Sequence, residues 1–285
     1  MAVLSIQSHV VAGHVGNSAA VFCLERTGIE AWGLDTLQFS NHAGDEGFTG
    51  QVFSPDHICE LVAGLSRCVG LKGCEAVLSG YIGRIGTGRA VLDAVRRVRE
   101  ANPDALYCCD PVMGDAGRVY VAPEIPEFMR REAVPAADII TPNHFELELL
   151  AGRSIHTEAE AVEAARGLMD GGRPRLVLVT SFGADDKNGN EISVLSISPD
   201  EACKVATPRL SFGFPPSGAG DMTASLFLAF LLKTGSLSEA LSRSVSGVFG
   251  VLRKTAGTKC REIGLIPFQD ELVSPSVRFD CIKIG

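Results

Sequence analysis

Short apolar runs alternate with longer helical patterns along almost the whole chain, and this alternation restricts the possible folds more than any other feature. Strands are predicted at residues 3–6, 31–39, 76–78, 106–109, 138–140 and 176–179. Helices are predicted at residues 17–26, 56–69, 88–101, from about 145, 221–233 and 238–253. Strands that alternate with helices form right-handed βαβ units, so we predict an α/β fold with a central, mainly parallel sheet flanked by helices. Two runs without a helix between them, 191–197 and 202–206, predict antiparallel strands at one end of that sheet.

The length and composition indicate one domain that acts on small molecules. The chain has 285 residues, of which 46% are hydrophobic and only 6% aromatic, a mixture suited to parallel strands packed closely against helices. No repeat or change of composition marks a boundary, so we expect a single domain over residues 1–285. The formal net charge of −8 argues against a nucleic-acid partner. No apolar run approaches the ~20 residues that would span a membrane.

The nine cysteines favour a reducing compartment. They are scattered along the chain without C-x-x-C spacing, and Cys108 and Cys109 lie inside an apolar, strand-like run. An odd number of cysteines without metal-ligand spacing is typical of reduced thiols in a cytosolic protein. The apolar run at residues 2–6 is too short, and lacks the basic flank, for a signal peptide. We therefore expect a cytoplasmic protein.

Polar or glycine-containing segments follow most of the predicted strands. In open α/β sheets, ligands bind beyond the carboxyl ends of the strands. We therefore expect one crevice to be lined by residues from widely separated segments: Ser8, Tyr81, Asp110, Thr141, Thr180 and the turn that precedes Asp221. This predicted convergence is the strongest indication of an active site that the residues alone provide.

The segment 214–221, Phe-Pro-Pro-Ser-Gly-Ala-Gly-Asp, leads directly into an apolar stretch of helix length. Its glycines permit a tight turn, and the amide N–H groups and dipole of the following helix would attract an anion. In that position Asp221 could accept a proton from a substrate hydroxyl while the amides hold a phosphate. Turn-forming glycines and a capping aspartate would explain the same string without any catalysis.

Two further acidic motifs follow predicted strands. The segment Asp-Pro-Val-Met-Gly-Asp runs from Asp110 to Asp115, and Thr-Pro-Asn-His-Phe-Glu runs from Thr141 to Glu146. Phosphoryl transfer requires Mg²⁺, which carboxylates commonly hold directly or through water. The alternative is structural, with Asp110 as a turn residue and Asn143 with Glu146 as a helix cap. Three such motifs in this order favour the catalytic interpretation.

Other enzyme classes lack their motifs in this chain. There is no Gly-x-x-x-x-Gly-Lys-[Ser/Thr] string of a P-loop nucleotidase. Ser8 lacks the Gly-x-Ser-x-Gly setting of a hydrolase nucleophile, and the histidines at positions 9, 14, 42 and 57 show no metal-binding spacing. Esterase and metal-hydrolase functions are therefore disfavoured.

Taken together, the Gly-Ala-Gly-Asp turn, the Asp-Pro-Val-Met-Gly-Asp segment and the Thr-Pro-Asn-x-x-Glu segment resemble the ribokinase-like superfamily. Three N-terminal segments narrow the resemblance to the pyridoxal kinases. They are residues 4–17, Leu-Ser-Ile-Gln-Ser-His-Val-Val-x-Gly-x-Val-Gly-Asn; residues 37–42, Leu-Gln-Phe-Ser-Asn-His; and residues 78–81, Leu-Ser-Gly-Tyr. The match extends from Val3 to about Ile263, and the motifs keep the family's order.

The resemblance implies an ATP-dependent kinase that phosphorylates the 5′-hydroxymethyl group of pyridoxal, with pyridoxine and pyridoxamine as further candidate acceptors. In that family the residue matching Ser8 hydrogen-bonds the pyridine ring, and the residue matching Tyr81 packs against it. A flat heteroaromatic ring needs an apolar face and a polar handle. The implied vitamer-binding residues are Ser8, Val15, Phe39, His42, Ala43, Tyr81 and Asp221.

The resemblance also assigns the catalytic groups. Asp221 matches the base that takes the proton from the hydroxymethyl group, and the amides of residues 218–220 match the anion hole for the transferring phosphoryl group. The implied ATP-binding residues are Asp110, Asn143, Glu146, Thr180, Ser181, Arg209, Leu210, Gly218, Ala219 and Gly220. The implied metal-binding residues are Asp110, Asp115, Thr141 and Glu146. The implied cofactor is Mg²⁺ with ATP, and K⁺ or Na⁺ is a candidate monovalent cation.

The chain departs from the family pattern at two positions, and two other functions stay open. Ala43 stands where the family commonly has a Thr that helps to hold the vitamer, and Ala219 stands where the anion-hole turn often carries Thr. These departures leave open a vitamer-binding protein that does not catalyse. Hydroxymethylpyrimidine kinase, which shares the superfamily's loop, is the other alternative. The resemblance also implies a homodimer.

Overall fold

A ten-stranded sheet runs through the part of the chain that the computed structural model describes, residues 1–184, 189–213, 217–258 and 262–284. The strands are β1 (Ala2–Val10), β2 (Glu30–Phe39), β3 (Gly50–Val52), β4 (Cys74–Ser79), β5 (Leu106–Cys109), β6 (Gly114–Asp115), β7 (Arg118–Val119), β8 (Ile139–Ile140), β9 (Leu176–Phe182), β10 (Glu191–Ile197), β11 (Ala202–Pro208) and β12 (Ile282–Lys283). β6 and β7 form a separate antiparallel hairpin. The order across the large sheet is β12-β11-β10-β9-β8-β5-β4-β1-β2-β3.

The middle of the large sheet is parallel. The pairs β9–β8, β8–β5, β5–β4, β4–β1 and β1–β2 all run in the same direction. Antiparallel strands follow at both edges, with β10, β11 and β12 beyond β9 and with β3 beyond β2. The predicted α/β fold with a mainly parallel sheet and an antiparallel end is therefore confirmed.

Helices cover both faces of the sheet. They are α1 (Asn17–Arg26), α2 (Pro55–Cys68), α3 (Ile85–Ala101), α4 (Ile125–Phe128), α5 (Val134–Ala136), α6 (His144–Ala151), α7 (Glu158–Gly167), α8 (Ala219–Thr234) and α9 (Leu237–Ala256), with a π-helix at Met129–Ala133 and a 3-10 helix at Gln269–Leu272. Alternate residues of a strand point to opposite faces. In β1, Leu4 and Ile6 join the core formed with α2 and α3, whereas Val3 joins the core formed with α1, α8 and α9.

β1 and β9 are longer than predicted. Each continues through polar residues that the sequence analysis places after the end of the strand. Ser8 lies inside β1, and Thr180 and Ser181 lie inside β9. Both strands continue because their backbones still pair with a neighbouring strand beyond the last apolar residue. The sequence does not predict β3, β6, β7 or β12, since each has only two or three residues and lacks the apolar character by which β8 could be predicted.

Some sequence predictions concern residues outside the described ranges. These are Phe214, Pro215 and Pro216, which open the glycine-rich motif, and Cys260. The eight cysteines inside those ranges all carry free thiols. Across the same ranges, none of the helices has the length and apolar character needed to traverse a bilayer. The single-domain organisation stays a prediction.

Candidate active site

Gly16 lies at the centre of the contacts that join the predicted site residues. It is the N-cap of α1, and a Cβ at this position would lie 2.2 Å from the carbonyl oxygen of Ser8. Its backbone N–H donates to Oδ2 of Asp221 across 2.9 Å. The predicted polar handle for the vitamer ring and the predicted base therefore contact the same backbone segment.

A β-bulge modifies the end of β1 at Ser8. β1 and β2 pair in register up to Gln7 and Asp35, but Ser8 pairs with Leu37, which leaves Thr36 as the extra residue. Bulges change the direction of side chains and are frequent beside active sites. The extra residue belongs to β2, so the bulge bends β2 where it faces Ser8, close to the start of α1.

The N-terminus of α8 is built to leave backbone amides available. Its N-cap is Gly218, with φ +92°, and no side chain caps the helix. By contrast, side chains cap α2, α6, α7 and α9. The first amides of a helix have no partner within it, and the helix dipole makes this end positive. The amides of residues 218–220 therefore lie where an anion would bind.

Asp221 lies in the first turn of α8, but it does not cap its own helix. Its carboxylate instead accepts the Gly16 amide from the start of α1. Burial raises the pKa of Asp221 to about 6, and the hydrogen bond from Gly16 and the charge of His42 act in the opposite direction. The most effective proton acceptors have a pKa near the working pH. At neutral pH, Asp221 is thus an ionised carboxylate with more basic character than an ordinary Asp.

Four carboxyl groups form an acidic cluster beside α8: Asp110, Asp115, Glu146 and Asp221. Asp110 is buried at the end of β5, and its Oδ1 accepts the hydroxyl of Thr141, which follows β8, across 2.8 Å. Burial, followed by the charges of Glu146 and Asp221, raises the pKa of Asp110 well above its usual range. Like charges in a buried site disfavour ionisation, and a bound cation would reverse that effect.

Glu146 joins the turn after β5 to the start of α6. Its Oε1 accepts the N–H groups of Met113 (2.8 Å) and Gly114 (3.3 Å), and its Oε2 accepts the N–H of Asn143 (2.9 Å). Asn143 accepts the N–H of Glu146 in return, which completes a capping box. Burial raises the pKa of Glu146 to about 7 in spite of these three hydrogen bonds. The capping arrangement is confirmed, and a metal-binding role for Glu146 stays a prediction.

Replacing Glu146 with Ala should destabilise the fold strongly, because three buried backbone N–H groups lose their acceptor. We expect the free energy of unfolding to fall by about 2–4 kcal/mol, since each unsatisfied buried group costs about 1–3 kcal/mol and the groups partly relax. Urea denaturation would measure the change. The matched control is Glu160→Ala, which removes the equivalent residue of the exposed capping box at α7 and should cost less than about 1 kcal/mol. Equal losses in the two variants would contradict the role assigned to Glu146.

The acidic cluster fits a divalent cation that is held mainly by a nucleotide. Among the described residues, no group of three or more His, Cys, Asp or Glu side chains is arranged to hold a metal by itself. Mg²⁺ usually takes one or two carboxylates and fills its remaining positions with water and substrate phosphates. Asp110, whose ionisation is opposed by burial and by like charges, is the carboxylate whose charge such a cation would stabilise most.

Tyr81 is placed beside the site by a close approach of two strand ends. It follows Gly80 directly after β4, and a Cβ on Gly80 would lie 2.2 Å from Oε1 of Gln7 in β1. Gln7 in turn precedes Ser8. The two residues that the resemblance assigns to the pyridine ring therefore come from adjacent, tightly packed strand ends.

The other predicted vitamer residues come from β2 and from loops. The ring of Phe39 contacts that of Phe48, with centroids 4.9 Å apart. His42 and Ala43 are exposed in the following loop, where the ring of His42 accepts the N–H of Gly44. His42 is nevertheless close enough that its ring, when protonated, would lower the pKa of Asp221. Val15 is partly buried in the β1–α1 loop. Their contacts with a vitamer stay predictions.

Thr180 belongs to the same edge of the sheet as the acidic cluster. Its N–H donates to the carbonyl of Pro142 across 3.0 Å, which places the end of β9 beside the Thr-Pro-Asn segment. Ser181 follows it in β9, and Asn143 also donates its side-chain amide to the carbonyl of Gly114. Asn143 therefore contacts the segment that follows Asp110, and Thr180 contacts the backbone just before Asn143.

The side chain of Arg209 is engaged by backbone carbonyls. Its guanidinium donates to the carbonyls of Gly183, Ala184 and Gly189. Arg209 therefore links the residues directly after β9 to Gly189, shortly before β10, a role that the sequence does not reveal. Leu210 beside it is partly buried. The predicted place of Arg209 and Leu210 at the adenosine is supported by the resemblance alone.

Two backbone groups that complete the site carry no sequence signal of their own. One is the Gly16 amide, and the other is the carbonyl of His14, which would lie 2.0 Å from a Cβ on Gly218. Every residue has a backbone carbonyl and every residue except proline has a backbone N–H, so residue type does not identify these groups. Only the positive φ angles of Gly16 and Gly218, which favour glycine, connect these contacts to the sequence.

A parallel α/β sheet with a carboxylate at an uncapped, glycine-rich helix end and a second acidic group at the neighbouring strand ends defines a phosphotransferase of the ribokinase-like fold. Comparison with known proteins agrees. The family described as phosphomethylpyrimidine kinase matches residues 72–263. Pyridoxal kinase PdxY of Deinococcus radiodurans is 47% identical, over 99% of this chain and 96% of that protein. The corresponding protein of Rubrobacter xylanophilus is 50% identical, over 99% and 97%.

Solved structures give the same result. Pyridoxal kinase from Leishmania donovani in complex with ADP and pyridoxamine superimposes with a TM-score of 0.91 at 29% identity, covering 100% of this chain and 99% of that chain. Pyridoxal kinase from Entamoeba histolytica gives 0.89 at 28% identity, covering 99% of both chains. The chain belongs to the pyridoxal kinase family. The resemblance and the ribokinase-like fold predicted from the motifs are thereby confirmed.

Proposed function

We propose that this protein transfers the γ-phosphoryl group of ATP to the 5′-hydroxymethyl group of pyridoxal and so forms pyridoxal 5′-phosphate, with pyridoxine and pyridoxamine as further acceptors. The observation that carries the proposal is the carboxylate of Asp221. It lies at the uncapped N-terminus of α8 with a pKa raised to about 6 by burial, in a chain that belongs to the pyridoxal kinase family. A base and an anion site at one helix end are what phosphoryl transfer to a hydroxyl requires.

In the proposed mechanism, Asp221 accepts the proton of the hydroxymethyl group as the hydroxymethyl oxygen attacks the γ-phosphorus. The bond from that phosphorus to the β,γ-bridging oxygen breaks, and ADP is the leaving group. The backbone amides of Gly218, Ala219 and Gly220 donate to the equatorial oxygens, on which negative charge is concentrated during transfer. These amides are fixed by the helix, so they require no reorganisation when the charge develops. Ala219 contributes its amide but no hydroxyl, so this anion hole depends on backbone donors.

Mg²⁺ bound with ATP would neutralise phosphate charge during the transfer. Asp110 and Asp115 are the side chains proposed to hold it, directly or through water, with Thr141 orienting Asp110 through its hydroxyl. Glu146 acts on the same turn by holding the amides of Met113 and Gly114. Asn143, Thr180 and Ser181 are proposed to contact the phosphates or a monovalent cation, K⁺ or Na⁺.

The vitamer is proposed to lie between Ser8 and Tyr81, with Phe39 and Val15 on the apolar side and His42 and Ala43 at the entrance. Ala43 offers no hydroxyl, so the loop after β2 supplies less polar contact than the family commonly has. A single domain over residues 1–285, a homodimer and a cytoplasmic location also stay predictions, supported by the uninterrupted composition, the family resemblance and the cysteine pattern.

The test is product formation from Mg-ATP with pyridoxal, pyridoxine, pyridoxamine and hydroxymethylpyrimidine in parallel reactions. We expect pyridoxal to be phosphorylated. Phosphorylation of the pyrimidine alone would identify a hydroxymethylpyrimidine kinase, an alternative that the phosphomethylpyrimidine kinase family match keeps relevant. Saturable binding of pyridoxal without any product would instead identify a vitamer-binding protein.

The pKa of Asp221 predicts an acidic limb in the pH profile. Only the ionised carboxylate can accept the proton, so kcat/KM for pyridoxal should fall about tenfold per pH unit below a pH of about 6. Initial rates measured from about pH 4.5 to about pH 8 would define the limb and the plateau above it. Ionisation of ATP or of the vitamer would give a limb that persists in the residual activity of Asp221→Asn. A limb due to the base would disappear there.

A further inference from the structure

The two helices that meet at the candidate active site both begin at a glycine. α1 has Gly16 as its N-cap and α8 has Gly218, and no side chain caps either helix. The amide of Gly16 does not remain within α1 but donates to Oδ2 of Asp221 at 2.9 Å. The start of α1 therefore holds the carboxylate of Asp221, which lies in the first turn of α8.

The backbone around Gly16 is fixed by close contacts. Its φ of +55° is a conformation that residues with a side chain rarely adopt, and a Cβ would lie 2.2 Å from the carbonyl oxygen of Ser8. The next turn is held by Ser18, whose hydroxyl donates to the carbonyl of Val10 across 2.8 Å. The Gly16 amide consequently has little freedom to point elsewhere.

A buried hydrogen-bond network anchors the residue that follows Gly16. Asn17 accepts the hydroxyl of Ser5 (2.8 Å) and donates to the carboxylate of Asp35 (2.8 Å) and to the carbonyl of Leu34 (3.0 Å). Gln7 donates to Ser5 across 3.0 Å. Ser5, Gln7 and Asn17 are almost completely buried. This network ties the start of α1 to β1 and β2, so the direction of the Gly16 amide is set by the sheet.

We infer that the backbone N–H of Gly16 is the positioning group for the catalytic base: it holds Oδ2 of Asp221 and leaves Oδ1 to accept the substrate proton. The inference rests on the proposed function, in which Asp221 is the base. A carboxylate that can rotate offers either oxygen in many directions, whereas one that is held by a single fixed donor offers the other oxygen in one direction. Orientation of a catalytic group is a large contributor to rate.

The same hydrogen bond favours the ionised form of Asp221 and so opposes the effect of burial on its pKa. Other titratable groups also face this carboxyl, and they belong to different elements: His42 in the loop after β2, Cys23 in α1, Asp110 at the end of β5 and Tyr120 after β7. A test must therefore report on the Gly16 amide itself and not only on the pH dependence of activity.

The chain permits such a test by selective labelling. Val-Gly occurs only at residues 15–16 and 69–70, so protein labelled with carbonyl-¹³C valine and ¹⁵N glycine gives two amide signals in a carbonyl-filtered spectrum. Gly70 donates to the carbonyl of Leu65, which does not titrate, and serves as the internal control. We expect the Gly16 signal to move with an apparent pKa of about 6 while that of Gly70 stays in place. In Asp221→Asn the movement of the Gly16 signal should vanish.

A Gly16 signal that does not move, or that moves equally in Asp221→Asn, would overturn the inference. This measurement requires no turnover, so it is independent of the proposed function. If the Gly16 amide follows Asp221 but no acceptor is phosphorylated, the contact stands and the proposed function fails. If phosphorylation is observed without the titration, the function stands and the positioning role fails.

The kinetic role is tested by replacing the backbone N–H of Gly16 with an atom that cannot donate a hydrogen bond. Cys23 allows a synthetic segment of residues 1–22 to be ligated to residues 23–285, and glycolic acid in place of Gly16 replaces the N–H with an ester oxygen. A hydrogen bond to a charged group is worth about one pH unit or more in the pKa of its acceptor. We therefore expect the acidic limb of kcat/KM to move up by about one unit, with KM for ATP unchanged.

The ester also weakens the carbonyl of Val15, which accepts the N–H of Ser18. The matched control therefore carries glyceric acid in place of Ser18, which deletes that N–H and keeps the Gly16 amide. We expect the control to retain the acidic limb of the unmodified enzyme. An unshifted limb in the Gly16 ester, or the same shift in both esters, would overturn the inference.

Discussion

Asp221→Asn is expected to lower kcat by about 10²- to 10⁴-fold, the contribution typical of a general base. The amide is nearly the same size as the carboxylate and can still accept the N–H of Gly16, so the geometry at the start of α8 should persist. It cannot take up the proton of the hydroxymethyl group. Dissociation constants for pyridoxal and ADP, measured by calorimetry, should therefore change little while turnover is lost.

The same variant should be more stable than the wild type at high pH. The pKa of Asp221 is raised from 3.8 to about 6 by burial, so the folded protein favours the protonated form. The stabilisation associated with that form is present below a pH of about 4 and is lost as the pH rises through about 6. Asn does not ionise and incurs no such loss, which we expect to be on the order of 1–3 kcal/mol.

Thermal denaturation at two pH values would measure this difference. The Tm of Asp221→Asn should exceed that of the wild type by a few degrees at pH 8, and the two should converge near the unperturbed pKa of the carboxyl. Loss of activity together with loss of stability would indicate a structural defect instead. The control is Glu239→Gln, a first-turn carboxylate of α9 that lies outside the site and should leave kcat unchanged.

Most of the sheet could be predicted from the sequence because its longer strands are apolar runs that end at polar or turn-forming residues. α1, β5 and β10 begin and end at the predicted residues, since each is a run of consistent periodicity between glycine, proline or charged residues. β1 was harder. Ser8 and His9 are polar and follow the apolar run, yet they pair with Leu37 and Gln38 of β2 beyond the bulge at Thr36.

The individual side chains of the site could be predicted, but their connections could not. Asp221, Asp110 and Ser8 stand out as polar residues near strand ends or in a glycine-rich turn. The contact that joins the first helix to the base links positions 205 residues apart through a backbone amide. Spacing along the chain carries no information about such a contact, because any residue could supply the donor.

Glu146 illustrates a different limit of prediction from sequence. Its position three residues after Asn143 indicates a capping box, and that box is present. The same carboxylate also accepts the amides of Met113 and Gly114, which are more than 30 residues away. A carboxylate engaged by three amides is first of all a structural element. The sequence pattern alone could not distinguish this role from metal binding.

Gly218→Ala is expected to reduce kcat by about 10²- to 10³-fold, the loss typical when an anion hole is disturbed. Two effects act together. The φ of +92° at Gly218 is unfavourable for any residue with a side chain, and the new Cβ would lie 2.0 Å from the carbonyl oxygen of His14. Because this neighbour is backbone, it cannot rotate away, so either the start of α8 or the loop before α1 must move.

Either movement separates groups that the mechanism requires together. A shift of α8 displaces the anion-hole amides, and a shift of the β1–α1 loop withdraws the Gly16 amide from Asp221.

The matched control for Gly218→Ala is Gly235→Ala at the other end of the same helix. Gly235 also has a positive φ, +64°, but a Cβ there would meet no atom within 4 Å. We expect the control to cost about 1 kcal/mol of stability with kcat unchanged, since only backbone strain is introduced. Steady-state kinetics and urea denaturation of both variants would separate the two effects, and equal losses of kcat would show that strain in α8, and not the contact with His14, controls turnover.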